Sequence, residues 1–463
     1  MEDRIRYYST NRSLKGVEGI TPFRGYVSFR DALLQGQAPD EGLYVPKRIP
    51  GLSYEDIFSL KGKPYVEAAM LVAGTFLGGE IDETVLKRII EDSYPFPVPL
   101  ENVYDRKYVM RLDQGPTASF KDFAARMMAR LMSYFRPAGK RLNVLVATSG
   151  DTGSAVGEAF KGVEGIDVNI LYPAEEVSGR QKKQLDTIGD NVQALSIDGK
   201  FDDCQNLVKE AFSDPLLDDL NFTSANSINF GRILPQMVYY VYAYAQLCER
   251  GEEIVICVPS GNFGNALGCD YARRMGLPVK RLVMPTNEND EFPDFLTSGR
   301  YEKVSPSKAC LSNAMNVGHP SNLARFFELY GGTVDRTGAV HRVPDVDEMR
   351  RRIFSVSISD AMTKDCIRKA YDRYGLVLEP HGAVGWRGLE IYLEREGDFP
   401  LCVSLETAHP AKFPEEIIEL LHIAPEIPDS MKGLEKKKGE PIDLTGDYGE
   451  FREYLKDNLK REE

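Results

Sequence analysis

RLNVLVATSGDTGSAVGEAFKG (residues 141–162) is the stretch that decides the fold. Residues 143–147 form a short apolar run of the kind a buried parallel strand needs. A glycine turn follows, then small residues at helical spacing. VNILYPAEEVSGRQKKQLDTIG (168–189) repeats strand then helix, and NVQALSIDG (191–199) supplies a further strand. EEIVICVPSGNFGNALGCDYARRMG (252–276) is again strand, glycine turn and helix. RLVMPTN (281–287) is one more strand, and LCVSLETAHPAKFPEEIIELL (401–421) gives strand, loop and helix. Alternation of this kind means parallel sheets covered by helices, an α/β protein. The chain of 463 residues accommodates two such sheets, forming two lobes with a cleft between them.

The flanks read differently. Residues 1–100 form an N-terminal module, with a turn-rich stretch at 36–51, a helix in YVEAAMLVAGTF (65–76) and a proline-bearing connector, YPFPVPLENV (94–103). The α/β region occupies 101–429, with a smaller lobe of roughly 135–245 inserted in the larger one. A long tyrosine-rich helix is expected over 231–251. The tail, 430–463, is polar and ends in GEFREYLKDNLKREE, where Phe451, Leu455 and Leu459 lie at helical spacing; a charged helix docked on the surface is expected.

Hydrophobic residues at 42% and charged residues at 27% are ordinary for a globular chain with a sizeable core. The formal net charge of −13 provides no basic field for nucleic acid, but a few placed cations suffice for a small anionic substrate. No apolar run reaches the length of a membrane span, and MEDRIRYYST has no signal-peptide core. Seven scattered cysteines and five histidines show no CxxC pair and no HExxH, so no metal site and a reduced, cytoplasmic setting are expected.

The chemistry begins at TASFKDFAARMM (117–128). Phe123, Met127 and Arg130 on one line, and Ala124, Met128 and Leu131 on the next, lay a mostly apolar stripe on a helix whose entrance is Lys121. A lysine near a helix end is usually a solvated charge. Here it sits at the positive end of the helix dipole and follows a phenylalanine, a poor place for a cation and a good one for a neutral, nucleophilic amine.

Two strand-to-helix turns are glycine-rich without being Rossmann or Walker loops. In VPSGNFGNALG, Gly261, Asn262, Phe263, Gly264 and Asn265 sit at a helix start, where free backbone N–H groups suit a phosphate. In ATSGDTGSA, Ser149, Gly150 and Thr152 offer hydroxyl and amide donors for a carboxylate, while Asp151 is an awkward neighbour for an anion. Between the two turns, TSANSINFGRILPQ (223–236) carries the neutral donors Asn226, Ser227 and Asn229 and the planar cation Arg232. Each turn alone is equally well a structural one. A candidate nucleophilic lysine, a phosphate cup, a carboxylate cup and an extra cation together are what a pyridoxal phosphate (PLP) enzyme acting on an amino acid requires.

The strings GPTASFKDFAARMM, ATSGDTGSA, ANSINFGRILPQ, PSGNFGN and ETAHPAKFPE, in that order, resemble the threonine synthases, fold-type II PLP enzymes of the tryptophan synthase β-like architecture. YYSTNRSL (7–14) and residues 27–50 resemble the N-terminal module of that family's longer branch. The resemblance is weakest over 289–360 and in the tail.

By that resemblance Lys121 carries PLP covalently and acts as the base, Gly261, Asn262, Phe263, Gly264 and Asn265 hold its phosphate, and Thr407 of ETAHP faces its pyridine nitrogen. The substrate it implies is O-phospho-L-homoserine. Ser149, Gly150, Asp151 and Thr152 would contact the α-carboxylate side, and Asn226, Ser227 and Arg232 the substrate phosphate. The implied products are L-threonine and phosphate. Two other readings stay open: a phospho-lyase giving 2-oxobutyrate from the same residues, and a non-catalytic protein that binds a phosphorylated metabolite. A monomer and a homodimer are equally compatible.

Overall fold

The computed structural model describes residues 4–17 and 19–459; the first three and last four residues of the expected module and tail lie outside it. Two sheets organise the chain. The larger has six strands in the order Ile353–Ser357, Val279–Thr286, Ile254–Cys257, Cys402–Glu406, Lys107–Arg111, Leu100–Tyr104. Five of these run parallel; the proline-flanked strand Leu100–Tyr104 pairs antiparallel at one edge. The smaller sheet has five parallel strands, Ile442–Thr445, Val192–Asp198, Ile166–Pro173, Leu142–Ala147 and Phe222–Thr223. Its inner strands are buried on both faces, which is why they read as continuous apolar runs.

The tail is more than a docked helix. Ile442–Thr445 adds a parallel strand beside Val192–Asp198, and the following helix Tyr448–Asn458 buries Phe451 and Leu455 against Leu195, Leu207 and Leu217. At four residues, with Asp443 and Thr445 exposed, that strand carries too short an apolar signal to be read from sequence.

The expected 231–251 helix is shorter. Asn229 caps a 3₁₀ turn, Phe230–Arg232, and the helix runs Leu234–Leu247 with Pro235 in its first turn. Proline suits a helix start, so the break belongs before it. The N-terminal module packs directly on the α/β region. Helix Tyr65–Leu77 lies against Leu234–Leu247, and the Tyr65 ring meets Phe123 edge-on at 5.5 Å. Helix Lys121–Phe135 is therefore enclosed on more than one face: of its expected stripe Phe123, Ala124, Met127, Met128 and Leu131 are all buried, while Arg130 turns outward to Asp92. Among the described residues no helix is long and apolar enough to cross a membrane.

Candidate active site

Lys121 is the first residue of helix Lys121–Phe135, whose N-cap, Phe120, makes no side-chain cap bond. The segment before it is fixed by its partner. Phe120 donates its N–H to the carbonyl of Thr407 (2.9 Å), His409 donates to that of Ala118 (3.0 Å), and Ser119 bridges Ala408. This places the ETAHP loop, which leaves strand Cys402–Glu406, alongside Lys121. The Lys121 ammonium position lies 4.9 Å from the Phe120 ring centroid and has no hydrogen-bond or ion-pair partner among the described residues. Desolvation pulls its pKa down; Asp151 opposes this, while Lys412 and Arg232 reinforce it. The result is an amine that gives up its proton more readily than a solvated lysine does.

Asp122 does not face solvent. Its carboxylate is buried and accepts from the Thr117 N–H (2.9 Å) and hydroxyl (2.7 Å), holding the turn that presents Lys121. Burial raises its pKa to about 6 against the opposing effect of those donors.

The second glycine turn leaves strand Ile254–Cys257 and enters helix Gly264–Arg274 through Phe263, which takes a left-handed φ of 64°. Gly261 must be glycine: an added Cβ would lie 2.9 Å from Met315 Cα and 3.0 Å from the Ala314 carbonyl oxygen. Asn265 Oδ1 accepts from the hydroxyls of Tyr239 and Tyr240, and its amide nitrogen is buried with no partner. A buried donor left unpaired is costly. An anionic oxygen at this helix start satisfies it, so the residues present fit the phosphate of PLP.

The first glycine turn leaves strand Leu142–Ala147. Thr148 Oγ1 accepts from the N–H groups of Gly150 (3.0 Å) and Gly153 (2.9 Å), shaping the turn, and Gly150 adopts φ 130° against Gln181. Ser149 is exposed and Thr152 half-buried, both open to a ligand. Asp151 is engaged already: its Oδ1 meets Lys412 Nζ at 2.7 Å and accepts from the Gln181 amide at 3.2 Å. Burial pushes this carboxyl up, but the charges of Lys412 and Lys121 outweigh it and hold the pKa well below the usual range.

Arg232 is buried, donates to the Ala225 carbonyl (2.9 Å) and keeps its Nε unpaired. Burial lowers its pKa to about 10, so it stays cationic at neutral pH. Asn226 Oδ1 is likewise buried without a partner. Ser227 Oγ lies 3.4 Å from Ser321 Oγ, which reaches Asn262 Oδ1 at 3.5 Å and so links this segment to the second glycine turn.

Several residues of this neighbourhood gave no sequence signal as site residues. Lys412 lies inside the quoted ETAHPAKFPE string; Ser321 and Arg325 fall in the segment where the resemblance is weakest. The tyrosines of Leu234–Leu247 read as packing alone. His381 accepts from the Ala314 N–H (3.1 Å) and is held by Glu379 through its other ring nitrogen at 2.5 Å. Burial and the charge of Glu379 push Glu406 well above the usual carboxylate range. Away from the cleft, Glu288, Cys310 and Asp360 bring their ligand atoms within 4.8 Å of one another, but Asp360 already accepts from the Leu311 N–H, which gives it a structural use.

Comparison with known proteins agrees with this geometry. Residues 98–400 match the family described as pyridoxal-phosphate dependent enzyme, residues 6–94 the threonine synthase N terminus, and residues 382–455 the threonine synthase C-terminal region. The chain is 39% identical to the threonine synthase of Haemophilus influenzae, over 93% of its own length and 96% of the relative's. It is 36% identical to that of Escherichia coli, over 93% and 96%. A crystal structure of PLP-bound threonine synthase from Brucella melitensis superposes with a TM-score of 0.89 at 34% identity, covering 98% of this chain and all of that one. The chain belongs to the threonine synthase family, within the fold-type II pyridoxal-phosphate-dependent enzymes.

Proposed function

We propose that the cleft converts O-phospho-L-homoserine and water into L-threonine and phosphate, with Lys121 carrying PLP and acting as the base. The observation that carries this reading is the unpartnered Lys121 amine at a helix start, beside a glycine turn with an unpaired buried Asn265 amide, an open hydroxyl-bearing turn and a buried arginine. Gly261, Asn262, Phe263, Gly264 and Asn265 would hold the cofactor phosphate, and Thr407 would present its hydroxyl to the pyridine nitrogen. PLP, once bound, supplies an electron sink for negative charge developing on the substrate carbons.

The chain's own residues do the rest. Ser149, Gly150 and Thr152 bind the α-carboxylate, with Asp151 beneath them tied to Lys412. Arg232, Asn226 and Ser227 hold the substrate phosphate and keep it bound as it leaves Cγ, offsetting its charge at close range. Lys121 takes the proton from Cα and moves protons at Cβ and Cγ, which its depressed pKa permits. A water adds at Cβ, and Cγ becomes the methyl group. The protein is read as cytoplasmic, as a monomer or homodimer, and as taking neither nucleic acid nor membrane as a partner.

Reconstitution with PLP tests the lysine assignment: a visible absorption band in the wild-type protein, lost in Lys121→Ala together with threonine formation. A band that survives in Lys121→Ala contradicts it.

A further inference from the structure

The cleft holds a second lysine. Lys412 ends the 3₁₀ turn Pro410–Lys412 that follows the larger sheet's strand Cys402–Glu406, whereas Asp151 opens helix Asp151–Phe160 behind the smaller sheet. Their side chains meet at 2.7 Å with 1% and 4% exposure, and Lys412 also donates to the Thr117 carbonyl at 3.1 Å, four residues before Lys121. The pair therefore joins the loops of the two sheets directly beside the lysine turn.

Burying two ions is expensive, and a neutral pair of similar shape serves packing as well or better. The two charges therefore call for a use. The charged groups acting on the Lys121 amine come from four elements: Asp151, Lys412, Arg232 on the turn Phe230–Arg232, and Glu379 at the cap of helix Pro380–Glu396. His381 acts on Asp151 in turn, and Asp122 lies beside Lys121 in the chain. Asp151 and Lys412 pull on the amine in opposite directions. Left alone, the Asp151 carboxylate would favour the protonated form of Lys121, the form that can neither attack nor accept a proton.

We propose that Lys412 and Asp151 act as one electrically neutral unit beside Lys121, in which Lys412 is the positioning residue that withholds the Asp151 charge from the Lys121 amine. When Lys121 takes a proton, the same carboxylate stands ready to offset the new charge. The assignment rests on Lys121 being the cofactor-bearing lysine, and it gives Asp151 a role other than direct carboxylate binding.

The test measures the Lys121 amine itself. Full-length protein stripped of cofactor is acetylated with trace acetic anhydride across pH, and the Lys121 peptide is quantified by mass spectrometry, with circular dichroism reporting the fold. Lys412→Met is expected to raise the Lys121 midpoint by about one pH unit or more, and Asp151→Asn to lower it. The double variant returns close to wild type, and Lys412→Arg stays there. Single-variant shifts of the same sign, or none, overturn the proposal; a pair that only ties the two loops together, without acting on the amine, would leave both midpoints where they are. If Lys412→Met does not fold, Asp151→Asn decides alone, and a midpoint that does not fall overturns the proposal. Borohydride reduction of the PLP-loaded protein separates the two readings: a label on another lysine refutes the Lys121 assignment, whereas a label on Lys121 without opposite shifts refutes only the pairing role.

Discussion

Arg325, a fully buried cation with no carboxylate partner among the described residues, donates to the carbonyl of Ser227 at 3.2 Å. It also donates to the carbonyls of Ile228 (2.6 Å) and Tyr44 (3.0 Å) and to Asn322 Oδ1 (2.7 Å). One guanidinium thus fastens the Asn226–Ser227 segment to the N-terminal module. Arg325→Met leaves these acceptors without their donor and is expected to cost about 2–4 kcal/mol in chemical denaturation. KM for the phosphorylated substrate should rise more than kcat falls, because the segment loosens without losing a reacting group.

In the proposed reaction Arg232, buried and with its Nε unpaired, would clamp the substrate phosphate through a planar fork that lysine does not reproduce. Arg232→Lys should lower kcat/KM by roughly 100-fold, in line with the loss of a charge-assisted, buried contact. The cofactor absorption band should be unchanged. Steady-state kinetics beside a spectrum check both halves, and loss of the band would move Arg232 to the cofactor.

Gly261→Ala drives a methyl group against the backbone of Met315 and Ala314. Neither can yield as a flexible side-chain end does, so the cup must shift. PLP affinity should fall by roughly tenfold or more, the equivalent of about 1.4 kcal/mol. Titration of the cofactor band measures this, and unchanged affinity would show that the cup lies elsewhere.

Asp122 gives a pH signature. Its native pKa of about 6 exceeds the unfolded value of about 3.9, so the folded chain holds this proton more tightly. Its contribution to stability is full below the unfolded value and is lost as pH rises through the native one. Asp122→Asn, which cannot ionise, should therefore gain on the wild type between about pH 4 and 6 and hold a constant difference above that, the change being at most about 3 kcal/mol. Urea midpoints across pH check the sign, and a pH-independent difference contradicts it.

Much of this was legible in the sequence because the informative features are local. Short apolar runs followed by glycine turns identify parallel strands feeding helices, and Lys121, Gly261 and Arg232 stand at turns whose chemistry is visible within a few residues. What was not legible depends on distance along the chain. Lys412 meets Asp151 across the cleft, Arg325 reaches back to Tyr44, and Tyr239 and Tyr240 cap Asn265 from a helix that reads as packing. No periodicity encodes such meetings. The added strand Ile442–Thr445 was hidden for another reason: a four-residue edge element with exposed positions carries little pattern.

In the reaction proposed for this cleft the substrate is hydrated in place and threonine is released. The most direct measurement is product analysis with O-phospho-L-homoserine and the PLP-loaded protein, counting threonine, 2-oxobutyrate and phosphate in the same reaction. One threonine per phosphate, with 2-oxobutyrate a trace, is the predicted result; phosphate release matched by 2-oxobutyrate would contradict it.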